Sequence, residues 1–241
     1  MLIQPRLSAF LGTLSELKLV FTHEFIGGKG QTINLACDFH LEQGSKFRCE
    51  EWIKETPDSL YYMESIRARQ KRDSQFTWIN VNQGAMTLRS DYKVWLQGDN
   101  SEVALEGLAM MHGKKESHAH IVLIHEGQYT RSRQLFKNVL KDLSRSSFEG
   151  QIIVEKDAMK TDAFQLNNNL LLSERAHADS KPMLKIFADD VKASHGATVG
   201  SLDEEELFYL CSRGLPKEEA KQILTEAFCR EVLDALSIET E

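Results

Sequence analysis

The side chains whose types and spacing suggest chemistry are few. His118-Ala-His120, followed by His125 and Glu126, is the most metal-like group, because residues two apart on a strand point the same way and imidazole is a common metal ligand. Asp189-Asp190, close to His195-Gly196, offers paired carboxylates. Glycoside hydrolysis needs two such groups about 5–9.5 Å apart in one cleft, whereas adjacent strand residues face opposite ways, so this pair requires a bend or another acidic partner. His195 is also a borderline-soft ligand suited to iron, and histidine can replace cysteine on a cluster iron. Ile26-Gly-Gly-Lys-Gly-Gln-Thr32 has the residue types of a phosphate loop but not their order, and reads as a plain loop. No G-x-S-x-G elbow and no triad stand out.

The elements that position these residues are mostly short and β-rich. Strands are expected at Leu17–Phe21, Ile33–Phe39, Ser59–Ile66, Phe76–Val81, Ala85–Leu96, Val103–Met111, His120–Ile124, Gly150–Val154, Phe164–Leu172 and Met183–Phe187, separated by glycine-containing turns. One more is expected around Val191–Thr198, with His195 on its less polar face. Periodicity alone leaves a sandwich and a parallel β-helix open. Asn167-Asn168-Asn169 reads as a polar turn or a stacked amide corner, and Arg67-Ala-Arg-Gln-Lys-Arg72 as a solvated strand edge.

The last forty or so residues change character. Ser201 and Glu204 form a candidate capping box, with a helix starting at Leu202. Gly214 offers a left-handed stop and Pro216 a first helical residue. Ala220, Ile223, Leu224, Ala227, Phe228, Val232 and Leu236 then recur at helical spacing, a stripe expected to lie against the end of the β body. Phe208, Tyr209 and Phe228 add more aromatic surface than one face of a small hairpin hides, which suggests partner binding.

Composition sets bounds. With 29 Lys and Arg against 36 Asp and Glu, the net charge of −7 argues against neutralising nucleic-acid phosphates. No apolar run reaches the roughly 20 residues of a membrane span, and the first residues lack the pattern of a secretion signal. Cys37, Cys49, Cys211 and Cys229 show no C-x-x-C spacing, so neither a disulfide framework nor a metal cage is indicated. A cytoplasmic, reducing setting is expected.

Asn168-Asn-Leu-Leu-Leu-Ser173, Lys181-Pro-Met-Leu-Lys-Ile-Phe-Ala-Asp-Asp190, Ser194-His-Gly-Ala-Thr-Val-Gly200, Asp203-Glu-Glu-Glu-Leu-Phe-Tyr-Leu210 and Ser212-Arg-Gly-Leu-Pro-Lys-Glu-Glu-Ala220 together resemble the SufD branch of the SufB/SufD family. These are non-ATPase scaffolds of iron–sulfur cluster assembly. Weaker echoes lie in Ser132–Lys137 and Ala68–Asp73. The resemblance implies an all-β core, a right-handed parallel β-helix over 1–200, followed by a helical hairpin over 201–241. It implies no enzyme activity, and no tightly bound cofactor beyond transient iron or a nascent cluster at the interface with a SufB-like paralogue. His195 is the implied metal residue there. The hairpin is implied to dock the SufC ATPase through Leu207, Phe208, Tyr209, Arg213, Gly214, Glu219 and Phe228, and a homodimer is the alternative assembly without the paralogue. The resemblance is broken at Ala193, where relatives often have cysteine, and at Tyr129 and Thr130, where they often carry histidine and cysteine. Two other readings remain at this stage: a cupin-like metalloenzyme using His118, His120 and His125, which lacks the second cupin motif, and a β-helix carbohydrate enzyme.

Overall fold

In the structure, a computed structural model that describes residues 1–23, 30–53 and 59–237, the chain winds into a parallel β-helix. The strands are β1 (Leu2–Ile3), β2 (Arg6–Leu11), β3 (Glu16–Thr22), β4 (Gln31–Leu41) and β5 (Lys46–Ile53). They continue as β6 (Leu60–Gln70), β7 (Gln75–Asn82), β8 (Thr87–Leu96), β9 (Glu102–Met111) and β10 (Glu116–His125). The last are β11 (Arg131–Leu140), β12 (Arg145–Val154), β13 (Asp162–Leu171), β14 (His177–Ile186) and β15 (Lys192–Gly200). The helices α1 (Glu204–Ser212) and α2 (Lys217–Leu233) follow. Even-numbered strands, with β1, form one sheet and the remaining odd-numbered strands the other. Every successive pair is parallel and in register, as between Glu116 and Arg145 or Arg131 and Asp162. The phosphate-loop-like residues 26–29 lie outside the described residues.

Alternation explains the lumen. Along β4, Leu35, Cys37, Phe39 and Leu41 are buried, and along β7, Phe76 and Trp78 follow the same inward parity. Stacking in register turns each inward position into a column running from coil to coil. Phe47 and Phe76 stack with ring centroids 5.1 Å apart, and Phe76 lies 6.4 Å from Trp78. Aromatic pairs at this distance add to simple burial.

The corners form a second column. Leu14, Gly44, Asp73, Asn100, Tyr129 and Lys160 all take left-handed backbone angles. Each donates its N–H to a carbonyl of the next coil: Gln43, Arg72, Asp99, Gln128, Met159 and Asp190 in turn. Five of these residues are not glycine, so the stacked hydrogen bonds hold a conformation that costs an L-residue about 1–2 kcal/mol. Glycine is required beside them, where corners touch. A Cβ on Gly127 would lie 2.5 Å from the carbonyl carbon of Gly98, and one on Gly98 would lie 1.9 Å from the Arg72 nitrogen.

Several sequence expectations change. Asn167 and Asn169 are not in a turn; they lie in β13 and are buried inside the lumen. Arg67–Gln70 is not at an edge, since β6 sits between β4 and β8, and Lys71 and Arg72 lie in the exposed turn that follows. The cap of α1 is Asp203, whose carboxylate accepts from the amides of Glu205 (2.7 Å) and Glu206 (3.2 Å), so the helix begins at Glu204. Ser201 is passed over: Leu202 packs against the apolar cluster under α2, the extended cap residue is Asp203, and a carboxylate suits the helix N-terminus better than a hydroxyl. Pro216 is the N-cap residue of α2, one position before the first helical one.

The α2 stripe does not cap the end of the β-helix. It lies along the outer face of the odd-numbered sheet, where Cys229 and Val232 complete a buried cluster with Ile79, Val81, Leu108, Val139 and Leu170. Buried Lys137 ties helix to sheet, donating to the Phe228 carbonyl (2.9 Å) and pairing with Glu231 (2.6 Å). Arg48 holds the Ala235 carbonyl, and Glu50 accepts from Ser237. The buried row is thus narrower than the sequence stripe, and Ile223 and Ala227 remain outside.

Gly127→Ala is expected to lower stability by about 1–3 kcal/mol, the usual cost of forcing an atom into a packed site. Gly12→Ala, with open space around it, serves as the neutral control, and thermal unfolding followed by circular dichroism measures both.

Candidate functional site

The histidines of the proposed metal group do not converge. On β10 the inward residues are Ser117, Ala119, Ile121, Leu123 and His125, so His118 and His120 face out and His125 faces in. His118 Nδ1 lies 2.7 Å from Ser147 Oγ, and His120 Nδ1 3.2 Å from Asp91. His125 is fully buried between Thr130 (2.7 Å) and Ser132 (3.0 Å), and burial pushes its pKa down to about 4, so it is neutral. Among the described residues no three His, Cys, Asp or Glu side chains could together hold a metal ion. The cupin-like reading falls here, on geometry and on fold, because this is a solenoid rather than a closed barrel. Asp189 and Asp190 lie in the exposed bend before β15, and the Asp190 carboxylate is paired with Lys160.

His195 sits on β15, the last strand of its sheet, in register with Gln165 of β13 and on the same inward column. The column changes character along the solenoid. From β3 to β15 it reads Leu19, Cys49, Trp78, Leu105, Gln134, Gln165, His195. Gln165 donates to Gln134 at 3.2 Å, leaving its own carbonyl oxygen buried without a partner one rung below His195. The neighbouring columns turn polar too: Asn138 donates to Asn169 (2.8 Å), and Asn169 to Asn167 (2.8 Å) and to the Thr198 carbonyl (3.1 Å). His195 itself is exposed. Nothing described stacks on β14 or β15, so both present an unpaired parallel edge, beside exposed Ile186, Phe187 and Val199.

The helical hairpin presents a mixed surface. Phe208 is 74% and Tyr209 57% exposed, and no residue of α1 is buried. The Arg213 guanidinium lies 5.3 Å from the Tyr209 ring, and Gly214 closes the helix at φ +96°. Leu207 is half-buried and Glu219 exposed. Phe228 turns inward, half-buried against the sheet with the Lys137 ammonium 5.0 Å from its ring, so its aromatic surface is largely spent within the chain. Between the hairpin and the β-helix lies a cleft of about 580 Å³, walled in part by Leu171, Leu172, Leu202 and Leu207.

One buried constellation carried no motif in the sequence. Glu51 and Glu64 lie inside the lumen with Tyr62, Asn80 and Tyr92. Tyr62 donates to Glu51 at 2.6 Å, Asn80 to its other oxygen at 2.6 Å, and Tyr92 to Glu64 at 2.8 Å. His23 reaches Glu51 at 2.9 Å. Burial and the Glu51 charge push the Glu64 pKa well up, while Glu51, despite burial, is held below the usual carboxylate range by His23, Glu64 and Tyr62. The pair therefore keeps one proton, on Glu64. Donors already occupy three of the four carboxylate oxygens. Cys37 and Cys49 lie nearby, and burial followed by these carboxylates pushes the Cys37 thiol up to about 12 and Cys49 higher, so both are unreactive.

A solenoid of in-register parallel coils with a helical hairpin folded along one flank defines the class. Residues 1–228 match the family described as SUF system FeS cluster assembly, SufBD core domain. The chain belongs to that family. It is 38% identical over 208 residues to the iron-sulfur cluster assembly protein SufD of Escherichia coli K12, covering 85% of this chain and 47% of that one. It is 34% identical over 179 residues to SufD of Bacillus subtilis, covering 74% and 41%. A SufBD family protein of Synechocystis is 31% identical over 205 residues, covering 85% and 45%. The chain thus spans about half the length of the curated relatives it matches.

Glu64→Gln tests the buried pair. A raised folded-state pKa means that Glu64 contributes stability fully below its unfolded value of about 4.3 and loses it as pH rises through the folded value. The variant should therefore gain in melting temperature relative to the native chain as pH rises above the unfolded carboxyl value of about 4.3. Glu51→Gln removes the charge that Tyr62, Asn80 and His23 serve, and should cost about 2–3 kcal/mol near neutrality.

Proposed function

We propose that this chain works in iron–sulfur cluster assembly as a non-catalytic scaffold of the SufD type, pairing with a SufB-like paralogue and recruiting a SufC-type ATPase. Membership of the SufBD family supports the pathway. The observation that carries the pairing is the open terminal coil: two unpaired parallel edges side by side, with exposed Phe187 and Val199 and the accessible His195. A free edge is a template for another chain, and main-chain hydrogen bonds across it give affinity without long side-chain grooves. A paralogue ending in the same kind of coil would continue the ladder.

Iron enters this reading as cargo. His195 offers one imidazole at the seam, and the remaining ligands, thiolates above all, come from the paralogue, because Ala193 supplies none. No tightly bound cofactor is assigned to the chain alone. The ATPase docks on the hairpin, with exposed Phe208 and Tyr209 as anchors and Leu207, Arg213 and Glu219 around them, while Gly214 sets the turn between the helices and Phe228 holds α2 to the sheet. Nucleotide-driven movement of the ATPase then reaches the seam through the rigid solenoid. The complex works in the reducing cytoplasm, where the four cysteines stay free. No helix of the described residues is long and apolar enough to cross a membrane.

His195→Ala is expected to leave co-purification with the paralogue intact and to reduce cluster formed on the complex, read from its visible absorption and iron content, by at least about fivefold. Normal cluster yield would remove the ligand role. Phe208→Ala combined with Tyr209→Ala should weaken capture of the ATPase about tenfold or more, the usual effect of losing buried aromatic anchors. Unaltered capture would move the docking site elsewhere.

A further inference from the structure

The two sheets differ in what lies on their outer faces. α2 covers the odd-numbered sheet, packing on β9 and β11. On the outer face of the even-numbered sheet, Trp95, Ile124 and Ile153 stand side by side in register on β8, β10 and β12, half-buried, with Val122 beside them. This strip is short, and one end of it is cationic. Arg69 is in register with Trp95, and Arg67 with Lys93. The Arg69 guanidinium lies 4.5 Å and the Lys93 ammonium 4.8 Å from the Trp95 ring centroid. Lys185 follows Ile153 at the other end.

The acids on this face are already taken or turned away. Asp91 is held by Arg89 (2.9 Å) and His120 (3.2 Å), and Glu149 by Lys181 (3.5 Å). Asp38 is in register with Arg67 yet forms no ion pair with it. Arg67, Arg69, Lys93 and Lys185 have no carboxylate partner among the described residues, in a chain of net charge −7. Like charges gathered on one ring repel one another, and an incoming anion relieves that repulsion.

We propose that the outer face of the even-numbered sheet is a docking surface for an acidic polypeptide segment carrying bulky apolar residues. Its carboxylates meet Arg67, Arg69, Lys93 and Lys185, and its apolar side chains lie along Trp95, Ile124 and Ile153. Nucleic acid fits less well, because cations already lie against the Trp95 ring on which a base would stack. The overall negative charge also repels long polyanions and anionic bilayers, whereas a short acidic segment samples mainly the local patch within a Debye length of about 8–10 Å.

The test uses the full chain and a fluorescein-labelled peptide repeating Glu-Glu-Leu-Phe, with a Glu-Glu-Ser-Ser repeat, a single-stranded oligonucleotide and phosphatidylserine vesicles as comparison probes. The Leu-Phe peptide should bind most tightly and shift the emission of Trp95, identified against a Trp95→Phe variant. Binding should weaken about tenfold or more in Arg67→Gln/Lys93→Gln, whose outward positions leave the fold intact by melting. Equal binding by that variant, equal binding of the Ser peptide, tighter binding of oligonucleotide or vesicles, or no peptide binding at all would each overturn the proposal.

Discussion

In-register stacking of one coil on the next is the constraint on which this molecule depends. Each strand gives its backbone groups to the coils above and below, as Glu116 and His125 of β10 do with Arg145 and Val154 of β12, and each corner N–H does the same. Once the ladder is in place, every inward side chain meets the equivalent side chain of the next coil. The lumen is therefore a set of columns, and the chemistry of any position is largely the chemistry of its column.

Those columns are graded. Near the first coils they are aromatic and aliphatic, with Phe39, Phe47, Phe76 and Trp78 in mutual contact. Near the last coils they hold Gln134, Gln165, Asn167 and Asn169. An apolar column left open at its end would expose hydrophobic surface to water, whereas amides tolerate partial hydration because they hydrogen-bond with water or with each other. The polar end is where the edges are free and where His195 lies. Aromatic burial is concentrated in the coils of β4 to β7, and the late coils give up apolar burial at a surface that stays open in the isolated chain.

What the sequence revealed followed the same division. Strands with regular apolar alternation, such as β7 and β9, stood out near their true limits, and so did the change to helices after Gly200. β5 and β11 did not, because their inward positions include Glu51 in one and Ser132, Gln134 and Asn138 in the other, which erases the pattern by which a half-buried strand is recognised. The corners at Leu14, Tyr129 and Lys160 were equally hidden, since these are not turn-forming types and owe their left-handed geometry to the neighbouring coil, unlike Gly44 and Asn100, which fell in expected turns. His195 was singled out through resemblance alone, whereas the Glu51–Glu64 pair had no local signature: its partners come from three strands and from His23, just past a fourth. The separation of His125 from His118 and His120 is a matter of parity, and an odd spacing of five residues from His120 to His125 on one strand already implies it.

The buried acid pair also bears on how the solenoid threads itself. Alternating hydrophobicity penalises a strand that slides by one position but is blind to a slide by two, because the apolar set returns to the same side. Glu51 removes that ambiguity. A two-residue slip of β5 would bring Cys49 or Ile53 opposite Asn80 and strand a carboxylate among aliphatic neighbours without Tyr62 or His23 to receive it. A buried charge with fixed partners thus discriminates among alignments that greasy side chains cannot tell apart, and it does so in the early coils, from which each later winding takes its phase.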